Sequence, residues 1–438
     1  MGSTSARVEC EVHVTNQLGQ FLHRWRVLGI LIVASLPRLW VAIFDQGIFW
    51  PDEIFQSLEQ AHRFAFGYGF VPWEFQEGAR SWLFPGSVGL LWKVLSAFGV
   101  TGAPALVIST KVLMVTVALL GIYAALRLAE RLAGVEALLL CGAVAAAFPP
   151  SLVYGSRCMA EMLSGPLLVW VALLSLDSSK RKLLLAGALL GIAIYLRYQN
   201  GLLALGLLVS LLVAKRKQSA LQCGAGIVGV AVLGSALDWA TWGSPLHSLV
   251  TYVRFNLLEG GSATFGVEPV TYYFSVLFSA VGVSSLLLGV GLWQATKRAA
   301  PLVIISLGFV LIHSLVDHKE LRFIMPVVPL LLALSSVGLA DLIDRFFTRP
   351  AVTAVDTQSQ GSKRHKEWRN KQPATASKAE VRNAQQALTV AHISSPTWVV
   401  AALLMAVMGW RAAKATFDDF GQRTGGPLSG EPMAALTL

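Results

Sequence analysis

The chain has 438 residues, of which 55% are hydrophobic and only 14% are charged, and its mean hydropathy is +0.60. Soluble domains carry about 25% charged residues, so this composition excludes an ordinary soluble domain and predicts a polytopic membrane protein. The net charge of +10 does not indicate a nucleic-acid partner, because the basic residues fall between apolar segments.

Apolar stretches recur along nearly the whole chain. A bilayer core about 30 Å thick requires roughly 20 apolar residues per helix, which predicts about eleven spans. A helix satisfies its backbone hydrogen bonds inside lipid and open strands cannot, so the predicted fold class is all-α. The predicted spans lie near residues 27–49, 102–126, 134–150, 161–176, 183–197, 200–214, 220–238, 273–294, 300–316, 323–342 and 397–413. No small-residue cleavage site follows the first stretch, which indicates a retained helix and not a signal peptide.

The distribution of Lys and Arg between the spans predicts their orientation. If the N-terminus is cytoplasmic, RLAER, SSKRK, AKRKQ and TKR share its side, which then carries roughly twice as many basic residues as the outer side. The chain divides into a transmembrane core (1–344), a basic, disordered cytoplasmic loop (345–395) and a last span with an outer tail (396–438). Either a bacterial inner membrane or the endoplasmic reticulum membrane fits this arrangement.

Several chemistries lack their motifs in this sequence. The four cysteines show no CxxC spacing, which argues against a zinc site or a disulfide framework. The chain also has no P-loop, no HExxH and no nucleophilic Ser or Cys motif with a matched His, so ATP-driven transport and metalloprotease chemistry are unsupported. Adjacent acids such as Asp52 and Glu53 can bind a divalent ion, but we expect neither a required metal nor a cofactor.

The unusual polar clusters all fall on the outer side of this topology. They are WPDE with the following GYGFVPWEFQEGARSWLFPG, then YGSRCMAE, LRYQN, SALDWATWGSP and LVDHKELRF. Ordinary outer loops also carry Asp, Glu and Arg, and each cluster taken alone favours such a structural interpretation. Because charged residues at membrane depth are costly and usually mark functional groups, their coincidence on one side predicts a single site there.

The first outer loop begins with a predicted helix. Pro51 suits the first helical position, which places Asp52 and Glu53 in the first turn, where the helix dipole favours negative charge. Apolar residues recur at helical spacing on one face and polar residues occupy another, which predicts an amphipathic helix along the membrane interface. The apolar set is Ile54, Leu58, Ala61 and Ala65, and the polar set is Gln56, Glu59, Gln60 and Arg63. Carboxylates that accept a proton, beside cations that hold phosphate, suit group transfer from a lipid phosphate.

These segments resemble the motifs of glycosyltransferase family 22, which includes the mannosyltransferases of GPI-anchor and N-glycan precursor assembly. The resemblance covers residues 27 to 342 and rests on three ordered motifs and a weaker fourth. They are Pro51-Asp52-Glu53; Gly67-Tyr68-Gly69 with Trp73-Glu74 and Arg80 to Pro85; His318 to Phe323; and, more weakly, Asp238, Trp242 and Gly243. Two positions depart from the family pattern, since Trp50 replaces its usual His and Leu321 replaces a Glu.

The resemblance implies a C-type glycosyltransferase that moves mannose, with inversion, from a polyprenyl-phosphate donor such as dolichyl-phosphate mannose to a glycan or glycolipid. It implies that the active site faces the extracytoplasmic or lumenal side. Asp52 matches the general base, and Glu53 positions the acceptor or Asp52, or only caps the helix. The candidate donor-phosphate ligands are Arg322, Lys319, His318 and Arg80. Further candidates, for acceptor binding or a secondary role, are Glu74, Tyr68, Arg157, Glu161, Arg197 and Asp238, of which the last four are equally suited to buried structural pairs.

Two other functions fit the same features. A transporter or flippase of a lipid-linked sugar also has many spans and intramembrane polar groups, although such proteins often show internal repeats, and we find no convincing repeat. A transferase of another hexose or a pentose from a lipid-phosphate donor fits as well, because nothing in the sequence specifies the sugar.

Overall fold

The computed structural model describes residues 2–45, 50–348 and 395–423, whose regular secondary structure is helical and which contain no strand. This confirms the predicted all-α class. The helices are α1 Gly2–Phe44, α2 Glu59–Phe66, α3 Trp73–Gln76, α4 Leu83–Ala97, α5 Ala103–Ala147, α6 Pro149–Tyr154, α7 Ala160–Ser175, α8 Lys180–Leu196, α9 Gly201–Val213, α10 Lys217–Trp242, α11 His247–Val253, α12 Tyr272–Val281, α13 Ser284–Leu315, α14 Val328–Ile343 and α15 Ser395–Arg423. Most of the predicted cytoplasmic loop (349–394) and the end of the outer tail (424–438) lie outside the described residues.

Within the described ranges, five helices are long and apolar enough to cross a membrane. They are Gly19–Phe44, Ala103–Ala147, Lys217–Trp242, Ser284–Leu315 and Ser395–Ala413. Shorter apolar helices accompany them, among them Ala160–Ser175. The protein is therefore an integral membrane protein, while its division into eleven spans stays a prediction. The first helix ends at Phe44, five residues before the end predicted for the first span (27–49).

Two of the long helices are interrupted. In α5 the backbone leaves the helical region at Ala133 and at Gly134, where φ is +81° and glycine is favoured. In α13 the interruption is at Ala299, two residues before Pro301, which cannot continue the preceding hydrogen-bond pattern. The first break falls between the predicted spans 102–126 and 134–150, and the second between 273–294 and 300–316. The helix α5 thus covers most of two predicted spans, whereas the predicted span 273–294 is divided between α12 and the start of α13, because α12 ends directly before Gly282, where φ is +66°.

The centre of the bundle is formed by α5, which packs against α1, α7 and α14, while α13 packs along α14 and α8 along both α7 and α10. Close approach requires small residues at these contacts. A Cβ atom added to Gly187 in α8 would lie 1.9 Å from the carbonyl oxygen of Cys223 in α10. A larger side chain there would force these helices apart, and with them the polar segment 197–200 that follows α8.

The first outer loop is helical from Pro51, with a π-helical segment Glu53–Leu58 continuing into α2. Ile54, Leu58 and Ala61 are buried, as an amphipathic helix predicts. The polar face differs from the prediction, because Glu59 and Gln60 are buried as well. The chain after α2 folds back over them, so that Glu59 Oε1 accepts a hydrogen bond from the Phe70 amide at 2.5 Å. The location of this helix along the membrane interface stays a prediction.

Candidate active site

One open cavity lies where the predicted outer polar segments meet. It encloses about 520 Å³, counting its open mouth. Residues from the first outer loop, from the YGSRCMAE and LRYQN segments and from HKELRF line it, while SALDWATWGSP does not. The lining residues are Asp52, Gln56, Ser57, Arg80, Ser81, Phe84, Pro85, Met159, Ala160, Glu161, Tyr195, Leu196, Arg197, Tyr198 and Arg322.

Local helix geometry decides which of the two adjacent acids faces the cavity. Consecutive residues on a helix point roughly 100° apart, so the side chains of Asp52 and Glu53 leave the helix in different directions. Asp52 lines the cavity, whereas Glu53 is fully buried. The π-helical segment starts directly after Asp52, and such wide turns frequently occur at functional sites.

Asp52 forms an ion pair with Arg322, whose Nη2 lies 2.6 Å from Asp52 Oδ2. Burial alone would raise the pKa of Asp52, but the positive charges of Arg322, Arg80 and Arg197 outweigh it and hold the pKa below its usual range. Asp52 is therefore ionised at neutral pH. Burial acts in the opposite direction on Arg322, yet Glu161, Asp52 and Glu320 together raise its pKa above the usual value.

Arg322 retains hydrogen-bond capacity after forming its ion pairs. Its Nη2 also lies 2.6 Å from Glu320 Oε1. Within the described ranges, its Nη1 has the Met159 sulfur, at 3.9 Å, as its one hydrogen-bond acceptor, and sulfur is a weak acceptor. Its Nε is buried without a hydrogen-bond partner among the described residues. Two nitrogen donors of this guanidinium, beside the cavity, thus lack an oxygen acceptor in the part of the chain that the structure describes.

Two further arginines line the cavity, and they differ in whether a carboxylate pairs with them. Arg197 Nη2 lies 3.0 Å from Glu161 Oε1, and both side chains are buried. Arg80 has no ion pair with any described residue. Its guanidinium carbon lies 5.9 Å from the centre of the Tyr252 ring, and its carbonyl accepts a hydrogen bond from Trp242 Nε1 at 3.2 Å. Arg80 is thus the cation of this cavity whose charge is least compensated by protein carboxylates.

Glu53 and Arg157 belong to a buried ionic cluster behind the cavity wall. The Cys158 amide donates to Glu53 Oε1 at 2.9 Å, and Arg157 Nη1 lies 3.8 Å from Glu53 Oε2. Arg157 also pairs with Asp45 at the end of α1, and the Asp45 carbonyl accepts from Lys111 Nζ at 2.6 Å. The cluster joins α1, α5, the α6–α7 connection and the helix that carries Asp52.

The structure does not place the remaining candidates on the cavity wall. Lys319 Nζ donates to the Glu268 carbonyl at 2.6 Å, and His318 Nε2 lies 3.2 Å from Glu320 Oε1. Glu74 Oε1 accepts from Gln56 Nε2 at 3.0 Å, so Glu74 reaches the cavity only through Gln56. Tyr68 is exposed and stacks edge-on against His62. Asp238 is fully buried and bonds to Ser248.

The two departures from the family pattern take up packing roles. Trp50 stacks on Tyr154, with ring centroids 4.6 Å apart and an interplanar angle of 24°. Leu321 packs against the main hydrophobic core. An aromatic contact therefore occupies the position next to the Pro-Asp-Glu motif where the family has an ionisable His.

Sequence reasoning missed several lining residues. Gln56 lies four residues after Asp52, a helical spacing that places both on one face. The sequence could therefore have indicated Gln56 as a lining residue. Tyr198 is adjacent to the predicted Arg197, but the sequence had no signal for its ring. Glu320 does not line the cavity, but it belongs to the His318–Phe323 motif, had no assigned role, and shares Arg322 with Asp52.

The arrangement combines an ionised carboxylate that can accept a proton with guanidinium groups that can hold a phosphate. No cluster of three His, Cys, Asp or Glu suited to a metal ion occurs within the described ranges.

Comparison with known proteins connects this chain to a family. The profile of the Alg9-like mannosyltransferase family matches residues 29–417. The GPI mannosyltransferase 3 of Yarrowia lipolytica is 33% identical over 69% of this chain and 60% of its own length. Human GPI alpha-1,2-mannosyltransferase 3 is 24% identical over 74% of this chain and 59% of its own. The chain thus matches about three fifths of these relatives' length.

Solved structures share the fold. A crystal structure of ArnT from Cupriavidus metallidurans bound to undecaprenyl phosphate aligns with a TM-score of 0.57 and 16% identity, covering 91% of this chain and 80% of ArnT. Archaeoglobus fulgidus AglB, an archaeal oligosaccharyltransferase in complex with an inhibitory peptide and a dolichol-phosphate, aligns with a TM-score of 0.50 and 12% identity. That alignment covers 95% of this chain and 60% of AglB.

Proposed function

Because the chain belongs to the Alg9-like mannosyltransferase family, we propose that it transfers mannose from a polyprenyl-phosphate donor of the dolichyl-phosphate type to a glycolipid acceptor. The names of its relatives favour a GPI-type glycolipid, and ArnT, which shares the fold, is bound to undecaprenyl phosphate. The observation that carries the proposal is the Asp52–Arg322 ion pair in the cavity wall.

In this reaction Asp52 is the general base. The acceptor hydroxyl attacks the anomeric carbon of mannose and transfers its proton to the Asp52 carboxylate. A new glycosidic bond forms while the bond from the anomeric carbon to the phosphate oxygen breaks, and the electron pair leaves on that oxygen. Attack from the side opposite the phosphate inverts the anomeric carbon. Asp52 suits this role because its low pKa keeps it ionised before the reaction.

Arg322 stabilises the departing phosphate. Its Nε and Nη1 lack oxygen acceptors among the described residues, and charge-assisted hydrogen bonds from them strengthen as negative charge develops. Phosphate at Arg322 also weakens the pull of this guanidinium on Asp52, which increases the basicity of the carboxylate while the acceptor proton leaves. Arg80, which lacks a carboxylate partner within the described ranges, supplies a second cation. Lys319 and His318 are assigned instead to holding the loop, because Lys319 Nζ donates to two backbone carbonyls and the His318 ring nitrogens lie beside the Gly266 carbonyl and Glu320.

The decisive experiment measures mannose transfer by purified protein from radiolabelled polyprenyl-phosphate mannose to a GPI-type glycolipid. We expect Asp52→Asn to lose at least about a hundredfold in kcat, in line with the loss of a general base. Glu77→Gln is the matched control, because this carboxylate is exposed on the same outer loop and should leave the rate unchanged. Full activity of Asp52→Asn would remove Asp52 as the base. Movement of the lipid-linked sugar across the membrane without transfer would identify a flippase.

A further inference from the structure

A buried polar chain connects the end of α10, through α11, to the cavity wall. Asp238, at the end of α10, has no exposed surface, and its Oδ2 accepts hydrogen bonds from both the amide (3.0 Å) and the hydroxyl (2.6 Å) of Ser248. The Ser248 hydroxyl oxygen in turn bonds to the Tyr198 hydroxyl. Tyr198 lines the cavity, whereas Ser248 and Asp238 do not.

The direction of these hydrogen bonds follows from their donors. A serine hydroxyl has one hydrogen, and Ser248 gives it to the Asp238 carboxylate. The Tyr198 hydroxyl must therefore donate to Ser248 Oγ. Its hydrogen is committed away from any ligand, and its oxygen offers only lone pairs to other groups. This fixes the orientation of the ring and makes the phenol oxygen a hydrogen-bond acceptor.

Tyr198 is part of an aromatic group beside the cavity. Its ring centroid lies 5.3 Å from that of Tyr252 and 6.1 Å from that of Tyr195, and Tyr195 also lines the cavity. Arg80 extends over Tyr252. The cavity thus has aromatic side chains in addition to its charged groups, a combination typical of pockets that hold an apolar surface and orient it by a few polar contacts.

We propose that Tyr198 forms a sugar-contacting wall of the cavity, and that Asp238 and Ser248 are positioning residues that hold its ring and direct its hydroxyl. The ligand is a pyranose whose C–H face packs on the ring and whose hydroxyl donates to the phenol oxygen. It belongs either to the donor or to the acceptor, and the assignment rests on the transferase function proposed above. A structural link that only fastens residues 244–253 to the bundle is the competing explanation.

The kinetic test separates KM from kcat for both substrates. Ser248→Ala and Tyr198→Phe each break the chain, and we expect either to raise one KM about fivefold to tenfold, the worth of a hydrogen bond of roughly 1 kcal/mol, with kcat unchanged. Ser248→Thr keeps the hydroxyl and should restore the KM. Ser244→Ala is the matched control, since its hydroxyl bonds to His247. The substrate whose KM rises is the one that carries the sugar in contact with Tyr198. Loss of thermal stability with both KM values unchanged would overturn the proposal.

A binding measurement keeps the test independent of turnover. The probes are mannosylated polyprenyl phosphate, sugar-free polyprenyl phosphate and the glycolipid acceptor, each titrated into wild type and Tyr198→Leu in detergent. If the wall contacts a sugar, the leucine variant weakens either the mannosylated donor or the acceptor by at least about fivefold, while the sugar-free lipid binds unchanged. Equal affinities of wild type and Tyr198→Leu for all three probes would refute the proposed contact between Tyr198 and a sugar. If wild type transfers no mannose, the proposed function is refuted. The binding comparison between wild type and Tyr198→Leu would still test the sugar contact.

Discussion

Asp52 and Glu53 are neighbours in the chain, but their carboxylates lie on opposite sides of the cavity wall. Asp52 faces the cavity and pairs with Arg322 at 2.6 Å, while Glu53 has no exposed surface and accepts the Cys158 amide at 2.9 Å. The motif therefore combines a reactive acid with an acid that fastens the helix carrying it. The two acids should respond differently to mutation.

The cations around Asp52 predict a shift in the pH dependence of transfer. Arg80 is one of the charges that hold the Asp52 pKa down against burial. Its replacement in Arg80→Gln should raise that pKa, so that Asp52 becomes protonated at a higher pH and the acid limb of kcat/KM moves toward neutral pH. Arg254→Gln, an exposed arginine that pairs with Glu259, should leave the limb in place. Coincident acid limbs for wild type and Arg80→Gln would contradict the electrostatic account.

Glu53 should matter for stability more than for chemistry. Glu53→Ala leaves Arg157 with one carboxylate fewer and the Cys158 amide without its acceptor, and breaking a buried ion pair costs about 3–5 kcal/mol. Glu53→Gln retains an acceptor for the amide and should lose less. Thermal unfolding in detergent should rank wild type, Glu53→Gln and Glu53→Ala in falling order. An unfolding temperature of Glu53→Ala equal to that of wild type would show that the buried cluster does not fasten this helix.

Gly234 in α10 packs against Tyr195, which lines the cavity. A Cβ atom at Gly234 would lie 2.2 Å from the Tyr195 ring, so Gly234→Ala must displace this tyrosine from the cavity. We expect transfer to fall by about tenfold to a hundredfold, as misplacement by an ångström can cause. The control is Gly229→Ala in the same helix, since a Cβ there meets nothing within 4 Å. Equal rates for the two variants would refute a role for the Tyr195 position.

Trp50 should act through its stack with Tyr154. Trp50→Phe keeps an aromatic face, whereas Trp50→His restores the family residue but loses apolar contact area. Such aromatic pairs contribute about 0.5–1.5 kcal/mol beyond their burial. Unfolding temperatures should therefore fall further for Trp50→His than for Trp50→Phe. A histidine variant as stable as wild type would indicate that the stack is not what retains tryptophan here.

Part of the site could be predicted because its signals are local. Pro51, Asp52 and Glu53 at a helix start are visible in sequence, and alternation of basic segments placed this motif and the segment containing Arg322 on the same side. Roles that depend on side-chain direction could not be predicted. Lys319 and Arg322 stand three residues apart in one motif, yet only Arg322 lines the cavity.

The sequence by itself determined the membrane character, the helical class and the family, because hydropathy, backbone hydrogen bonding in lipid and ordered motifs are properties of the chain read along its length. Only the tertiary structure decided which group each carboxylate binds. Glu320 is bound to Arg322, Glu53 to the Cys158 amide, and Asp238 to Ser248. The physical reason is that a carboxylate's partner and burial are set by segments distant in sequence, and these decide whether it reacts with a ligand or holds the fold.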